Sequence, residues 1–303
     1  AGNETWDSAA VDTMLREGLD DPKAILVLDQ GDVTAALAGA AKVVEAEYAS
    51  PYLSHATMEP MTCTAWFRPD GFLDVWTSTQ NGEAAMHAAA QASGLSLEKI
   101  EVHKMMLGGG FGRRGATQDY VTQGVVIAQA MAGTPVKLMW SREEDMQHGF
   151  YRPASRVRMK AGLDAQGRLV AMHSRIACPS ILKVVMPAML GKDGSDFTAV
   201  RTFNDMPYTI PNQRVDYAPR NGPVRVGFWR GPGQQNGYYR ECFVDELAHL
   251  AGRDPLAYRL DMMKPDDKNR LILEATAKAA GWGQPKPAGV GRGLAVVDGF
   301  GSY

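Results

Sequence analysis

Residues 107–115, LGGGFGRRG, set five glycines and two adjacent arginines in nine positions. Glycine gives up more conformational freedom on folding than any other residue, so such a cluster implies something close to the backbone. A bound anion is the candidate: exposed backbone N–H groups can cradle it, and Arg113 or Arg114 can neutralise it. Two further stretches could serve the same ligand. WTSTQN, 76–81, ends a strand with Ser78, Thr79, Gln80 and Asn81, uncharged groups that donate or accept without burying a charge. FWRGPGQQNG, 228–237, carries Arg230, Gln234, Gln235 and three glycines, and a guanidinium recognises oxyanions through its planar fork of donors. His55 and Glu59, four apart in HATMEP, are either a metal or acid–base pair or, more simply, hydrogen-bonded scaffold residues. Met105, Met106, Met262 and Met263 read as core packing.

Gly110 to Gly115 also fits G-x-G-x-x-G, with a strand before it and a helix after it, so a dinucleotide-binding oxidoreductase is an alternative. Against it, the preceding strand alternates where a central parallel strand is continuously apolar, and no acidic residue closes the next strand. Arginines at a helix N-terminus would also oppose its dipole.

The elements that must position these residues follow from periodicity. Asp32 caps an Ala-rich helix, followed by a strand in which Val44, Ala46 and Tyr48 share a face. Leu73, Val75 and Thr77 alternate with Asp74 and Trp76 in a half-buried strand. Next come a helix closed by Gly94, a strand over 99–107 that delivers the chain to the glycine cluster, a helix ending near Gly133, and the strand PVKLMWS. Residues 156–178 are a hairpin around Ala-Gln-Gly, and 178–213 a long irregular loop with a short helix. Residues 221–252 repeat the order strand, glycine loop, helix, and Asp254-Pro255 opens a further helix. The class is α+β with mixed sheets and packed helices. Residues 1–30 read as a linker from a preceding domain, 31–150 as a first cofactor-binding subdomain, and 151–303 as the second part of the same region.

Composition excludes several functions. With 45% hydrophobic residues, 22% charged and a net charge of −2, no global field draws the chain to nucleic acid or anionic membrane. No apolar run approaches the ~20 residues of a membrane span. The three scattered cysteines, Cys63, Cys178 and Cys242, fit a reducing cytoplasm or a protein exported folded to a bacterial periplasm. Both ends read as cut from a longer chain.

The ordered set MEPMTCTA, WTSTQN, GGGFGRR, PVKLMWSREEDM and RGPGQQNGYYRECFVDELAHLAGRDPLAYRL resembles the molybdopterin-binding large subunit of the xanthine dehydrogenase and aldehyde oxidase family, nearest the branch of the isoquinoline 1-oxidoreductase β-subunit. The resemblance covers roughly residues 30–303. It implies a molybdenum hydroxylase acting on an N-heteroaromatic or aldehyde with water as oxygen source. It also implies a molybdopterin, of the cytosine dinucleotide form, with molybdenum, and a small [2Fe-2S] partner subunit that takes the electrons. On the family's pattern Gln80 approaches an oxygen of the metal centre, and Gly109, Gly110, Phe111 and Gly112 pack against the pterin, joined by Arg113. Arg230 lies beside the metal, and Gln234, Gln235 and Asn236 line the cofactor. The family's general-base glutamate is expected beyond Tyr303, so 1–303 alone should fold, be inert, and expose apolar surface that drives self-association. A scaffold that binds no cofactor is the remaining alternative.

Overall fold

The computed structural model describes residues 5–231, 233 and 235–303. In chain order it runs α1 (Ser8–Leu19), β1 (Ile25–Gln30), α2 (Val33–Ala38), β2 (Lys42–Ser50), β3 (Thr62–Phe67), β4 (Leu73–Thr77), α3 (Gly82–Ser93) and β5 (Ile100–Lys104). The middle holds α4 (Asp119–Ala130), β6 (Val136–Met139), α5 (Arg142–Gln147), β7 (Ser155–Leu163) and β8 (Leu169–Cys178). The rest is α6 (Ile181–Val185), α7 (Phe197–Val200), β9 (Asn212–Pro219), α8 (Asn236–Leu250), α9 (Pro255–Met262) and α10 (Lys268–Ala279).

Two mixed sheets organise the chain. Four strands in the order β5-β4-β3-β6 pack one face on α3 and α4, burying Cys63, Ala65, Leu73 and Val75 against Ala85, Ala89, Val121 and Val125. Five strands in the order β1-β9-β8-β7-β2 form the larger sheet. Period-2 alternation splits its side chains: Val157, Met159, Ile176, Val215 and Tyr217 meet Tyr239, Phe243 and Leu247 of α8, while Ala177 and Ala218 meet Leu15 and Leu19 of α1. Caps anticipated in the sequence are present: Asp32 accepts from Ala35 N, Asn81 from Ala84 N, and Asp254 from the amides of Leu256 and Ala257. Gly94 closes α3 at φ 73°.

Three sequence expectations are corrected. Residues 1–30 are not a linker: Asp7 caps α1, which buries Leu15 and Leu19, and β1 pairs antiparallel with β9. Residue 150 does not divide the sheets either, because β1 and β2 from the first half join β7–β9. Residues 223–230 hold no strand, only a single bridge from Val226 to Tyr151; Pro223 has no N–H for a ladder and Gly227 lies tight on Phe150.

The dinucleotide alternative also loses its frame. The strand entering the glycine cluster, β5, is an edge strand with β4 as its one partner, and α4 starts at Asp119, four residues past Gly115. No helix among the described residues is long and apolar enough to cross a membrane.

Candidate functional site

The glycine cluster folds into a turn locked by Gln80. The side-chain oxygen of Gln80 accepts from Gly112 N at 2.9 Å and from Arg114 N at 3.3 Å, and its main-chain N–H donates to Arg114 O at 3.0 Å. Two donors at one end of the amide require oxygen there, so the other end, the amide nitrogen, is what exposed Gln80 offers outward. Gly109 and Gly112 sit at φ 100° and 105°, and Phe111, without glycine's freedom, at 56°. Gly110 is not at positive φ. It is glycine because a Cβ there would lie 2.5 Å from Gln80 Oε1. The N–H groups of Gly109, Gly110 and Phe111 find no backbone acceptor among the described residues.

A second loop closes over the first. Arg230 N donates to Phe111 O at 2.7 Å, and its guanidinium stacks 4.1 Å from the centre of the Phe111 ring. Arg230 is itself at φ 46°. Two non-glycine residues held in the left-handed region, bonded to each other, mark a backbone that the surrounding contacts over-determine. Gln80, Gly110, Phe111, Gly112 and Arg230 are thus brought together from three loops.

The arginines after the turn face inward, which corrects their reading as anion ligands. Arg113, 2% exposed, makes a two-pronged pair with Asp119 at 2.8 and 3.0 Å and lies among Tyr120, Trp140 and Phe150. Arg114 is fully buried. Of the remaining expected residues, Gln235 precedes α8 without capping it, and Gln234 lies outside the described residues. Asn236 is buried and donates to the carbonyls of Ala199 and Arg201, a scaffold role.

His55 and Glu59 are scaffold too. His55 pairs through Nε2 with Phe228 O at 2.6 Å, tying its loop to the one that carries Arg230. As Phe228 O can only accept, this fixes the proton on Nε2. The Glu59 carboxylate accepts from Ser78 Oγ at 2.9 Å and Gly108 N at 3.0 Å, with Arg114 also at 3.0 Å. Sequence reading missed these clamps; the one available signal was a pair of arginines where an exposed turn needs none. Met105 and Met106 are not core: they are 49% and 94% exposed, and with Met58 and Leu107 they rim the turn. Met263 is buried, as a core residue should be.

Burial, reinforced by Arg113 and Arg230, pushes the His55 imidazole down from 6.5 to about 4, against the opposing bond to Phe228. Between those values the unfolded chain binds a proton that the folded one does not, so stability is lost as pH falls from about 6.5 to about 4. The loss attributable to this residue is about 3 kcal/mol. His55→Gln, which keeps a donor for Phe228 O, is expected to flatten the urea-unfolding profile over that range. Parallel profiles for the two proteins would discard the assignment.

With this geometry in place, comparison with known proteins is direct. The model of the molybdopterin cofactor-binding domain family matches residues 19–263. The chain is 28% identical over 255 residues to the β-subunit of isoquinoline 1-oxidoreductase from Brevundimonas diminuta, covering 82% of this chain and 32% of that one. It is 29% identical over 261 residues to a nicotinate dehydrogenase subunit from Pseudomonas putida, covering 84% and 22%. Among solved structures, quinoline 2-oxidoreductase from Pseudomonas putida 86 superposes with a TM-score of 0.70 at 19% identity, over 84% of this chain and 35% of that one. Aldehyde oxidoreductase from Desulfovibrio gigas gives 0.69 at 22% identity, over 85% and 29%. The chain spans a third or less of the length of these isoquinoline and nicotinate relatives.

Proposed function

The chain belongs to the molybdopterin cofactor-binding domain family, and from that premise we propose that it forms part of the cofactor cradle of a molybdenum hydroxylase. The enzyme oxidises an N-heteroaromatic or aldehyde carbon with water as oxygen source, and passes the electrons to a small [2Fe-2S] partner subunit. The names of the relatives, isoquinoline and nicotinate enzymes among them, support the substrate class. The observation that carries the reading is the turn itself: adjacent backbone N–H groups at Gly109–Phe111 without a backbone acceptor among the described residues, beside an amide whose oxygen is already engaged.

These residues fit an anionic, oxygen-rich group. Consecutive backbone N–H groups left without a backbone acceptor can form an anion-binding concavity, and the missing side chain of Gly110 leaves room for the Gln80 amide against the backbone. When bound, the molybdenum centre, carried by a molybdopterin of the cytosine dinucleotide form, supplies the two-electron redox step. Gln80, its oxygen already held by Gly112 N and Arg114 N, would present its amide nitrogen as a pre-oriented donor to an oxygen-rich group bound there. Arg230, stacked on Phe111, places a positive charge at the rim, where it offsets the charge of the pterin or its phosphates. Glu59 serves as scaffold rather than as the base, because Ser78, Gly108 and Arg114 already engage its carboxylate.

The complete enzyme, produced in a host that makes the cofactor, is expected to retain stoichiometric molybdenum. Gly110→Val drives a side chain into Gln80 and is expected to retain under about a tenth of it, with a thermal transition close to that of the parent. Gln80→Ala keeps the cofactor better but loses about 10² in kcat, as removal of a pre-oriented donor does. Full molybdenum and normal turnover in Gly110→Val would remove the turn from the cofactor site.

A further inference from the structure

Arg114 is the most connected side chain around the turn. Its Nε donates to Gly109 O at 2.9 Å, Nη1 to Ser78 O at 3.1 Å, and Nη2 to the carbonyls of Glu59 at 2.7 Å and Pro60 at 3.2 Å. The same Nη2 lies 3.0 Å from the Glu59 carboxylate. One guanidinium, with no exposed surface, thereby ties together three segments: 59–60, the end of β4 at Ser78, and the glycine turn. Its main chain closes the circuit, since Arg114 O accepts from Gln80 N, Thr79 Oγ1 and Gln118 Nε2, while Arg114 N donates to Gln80 Oε1.

We infer that Arg114, with Glu59 as its counter-ion, is a positioning residue that sets which end of the Gln80 amide faces outward. The argument is one of competing orientations. A free glutamine side chain can turn either its oxygen or its nitrogen to a ligand. Here the oxygen is captured by the N–H groups at 112 and 114, and those two amides converge only while the 109–114 backbone is held in place. Arg114 holds it at Gly109 on one side and at Ser78, two residues before Gln80, on the other. Glu59 balances the buried charge and, through Gly108 N, fixes the entry to the turn. A lysine carries the charge but places its donors at a single point, so it cannot reach Gly109, Ser78 and Glu59 together. The catalytic consequence rests on the reading of Gln80 given above, whereas the positioning itself is a property of this chain.

Amide hydrogen exchange tests the positioning without any cofactor. Arg114→Lys is expected to raise exchange at the 112 and 114 amides at least about tenfold, with β3, β4 and α4 unchanged. Glu59→Gln should act in the same direction, most strongly at Gly108. Arg114→Met is the stronger variant, and if it fails to fold Arg114→Lys carries the test. In the complete enzyme, the expected effect of Arg114→Lys is a fall of about tenfold in kcat per bound molybdenum with KM unchanged, and Arg114→Met should fall further. Unchanged exchange in Arg114→Lys overturns the inference, as does a raised KM at constant kcat. Faster exchange with full molybdenum and unchanged kcat leaves Arg114 as the brace and instead removes Gln80 from the cofactor site.

Discussion

Alanine in place of Gly112 is expected to cost about 3 kcal/mol of unfolding free energy and to part the glycine turn from the Phe228–Arg230 loop, two of the three loops that form the site. Two effects add. At φ 105° an L-residue is strained in isolation. The new Cβ would also press on Phe228 O and fall 2.7 Å from its carbonyl carbon. Those are main-chain atoms, held by His55 and by the bond from Arg230 to Phe111, so they cannot turn aside as a flexible side chain would. Gly71 is the control: its φ is 85°, but nothing lies within 4 Å of a Cβ built there. Gly71→Ala isolates the backbone strain, roughly 1–2 kcal/mol, and Gly112→Ala should exceed it by more than about 1 kcal/mol in urea unfolding. Equal losses would mean that the Phe228 loop yields freely and that the contact does not fix the site.

The larger core rests on a buried charge cluster whose disruption should be comparably severe. Glu241, 3% exposed on α8, accepts from Arg240 Nε at 2.7 Å and Arg259 Nε at 3.0 Å, and from the Tyr208 hydroxyl at 2.8 Å. Both arginines are fully buried; Arg240 also donates to Thr202 O, and Arg259 to Asp245 at 2.6 Å. The cluster ties α8 to α9 and to the loops at 202 and 296. Glu241→Gln keeps the shape but leaves buried Arg240 with no carboxylate partner among the described residues and Arg259 with Asp245 alone. The expected loss is about 3–5 kcal/mol, the usual cost of stripping one partner from a buried pair. Asp261, paired with Arg253 at the surface, should matter little when changed to Asn. A loss below about 1 kcal/mol for Glu241→Gln would show that water or a shifted helix compensates the cluster.

The sequence by itself determined the local punctuation of this protein. Asp32, Asn81 and Asp254 cap their helices, Gly94 stops α3, and the alternation in β4, β7 and β8 sets which side chains face the core. It also marked three stretches, 76–81, 107–115 and 228–237, as carrying the unusual residues, and the order of five motifs carried the resemblance to the family. These features are legible because each depends on partners within a few residues. What the tertiary structure decided depends on partners far along the chain. α1 and β1 looked like a polar lead-in because half of each faces solvent, and the other half becomes meaningful only against Ala177, Ala218 and β9. Gly110 looked like one more glycine making room for a ligand at the backbone; it is glycine because Gln80, thirty positions earlier, fills the space a Cβ would take. Arg113 and Arg114 looked like anion ligands because a charge in a sequence carries no sign of where it points. Only the fold brings Asp119 to Arg113, and Glu59 and a ring of carbonyls to Arg114, turning two cations from ligands into scaffold and making Arg114 the brace for Gln80.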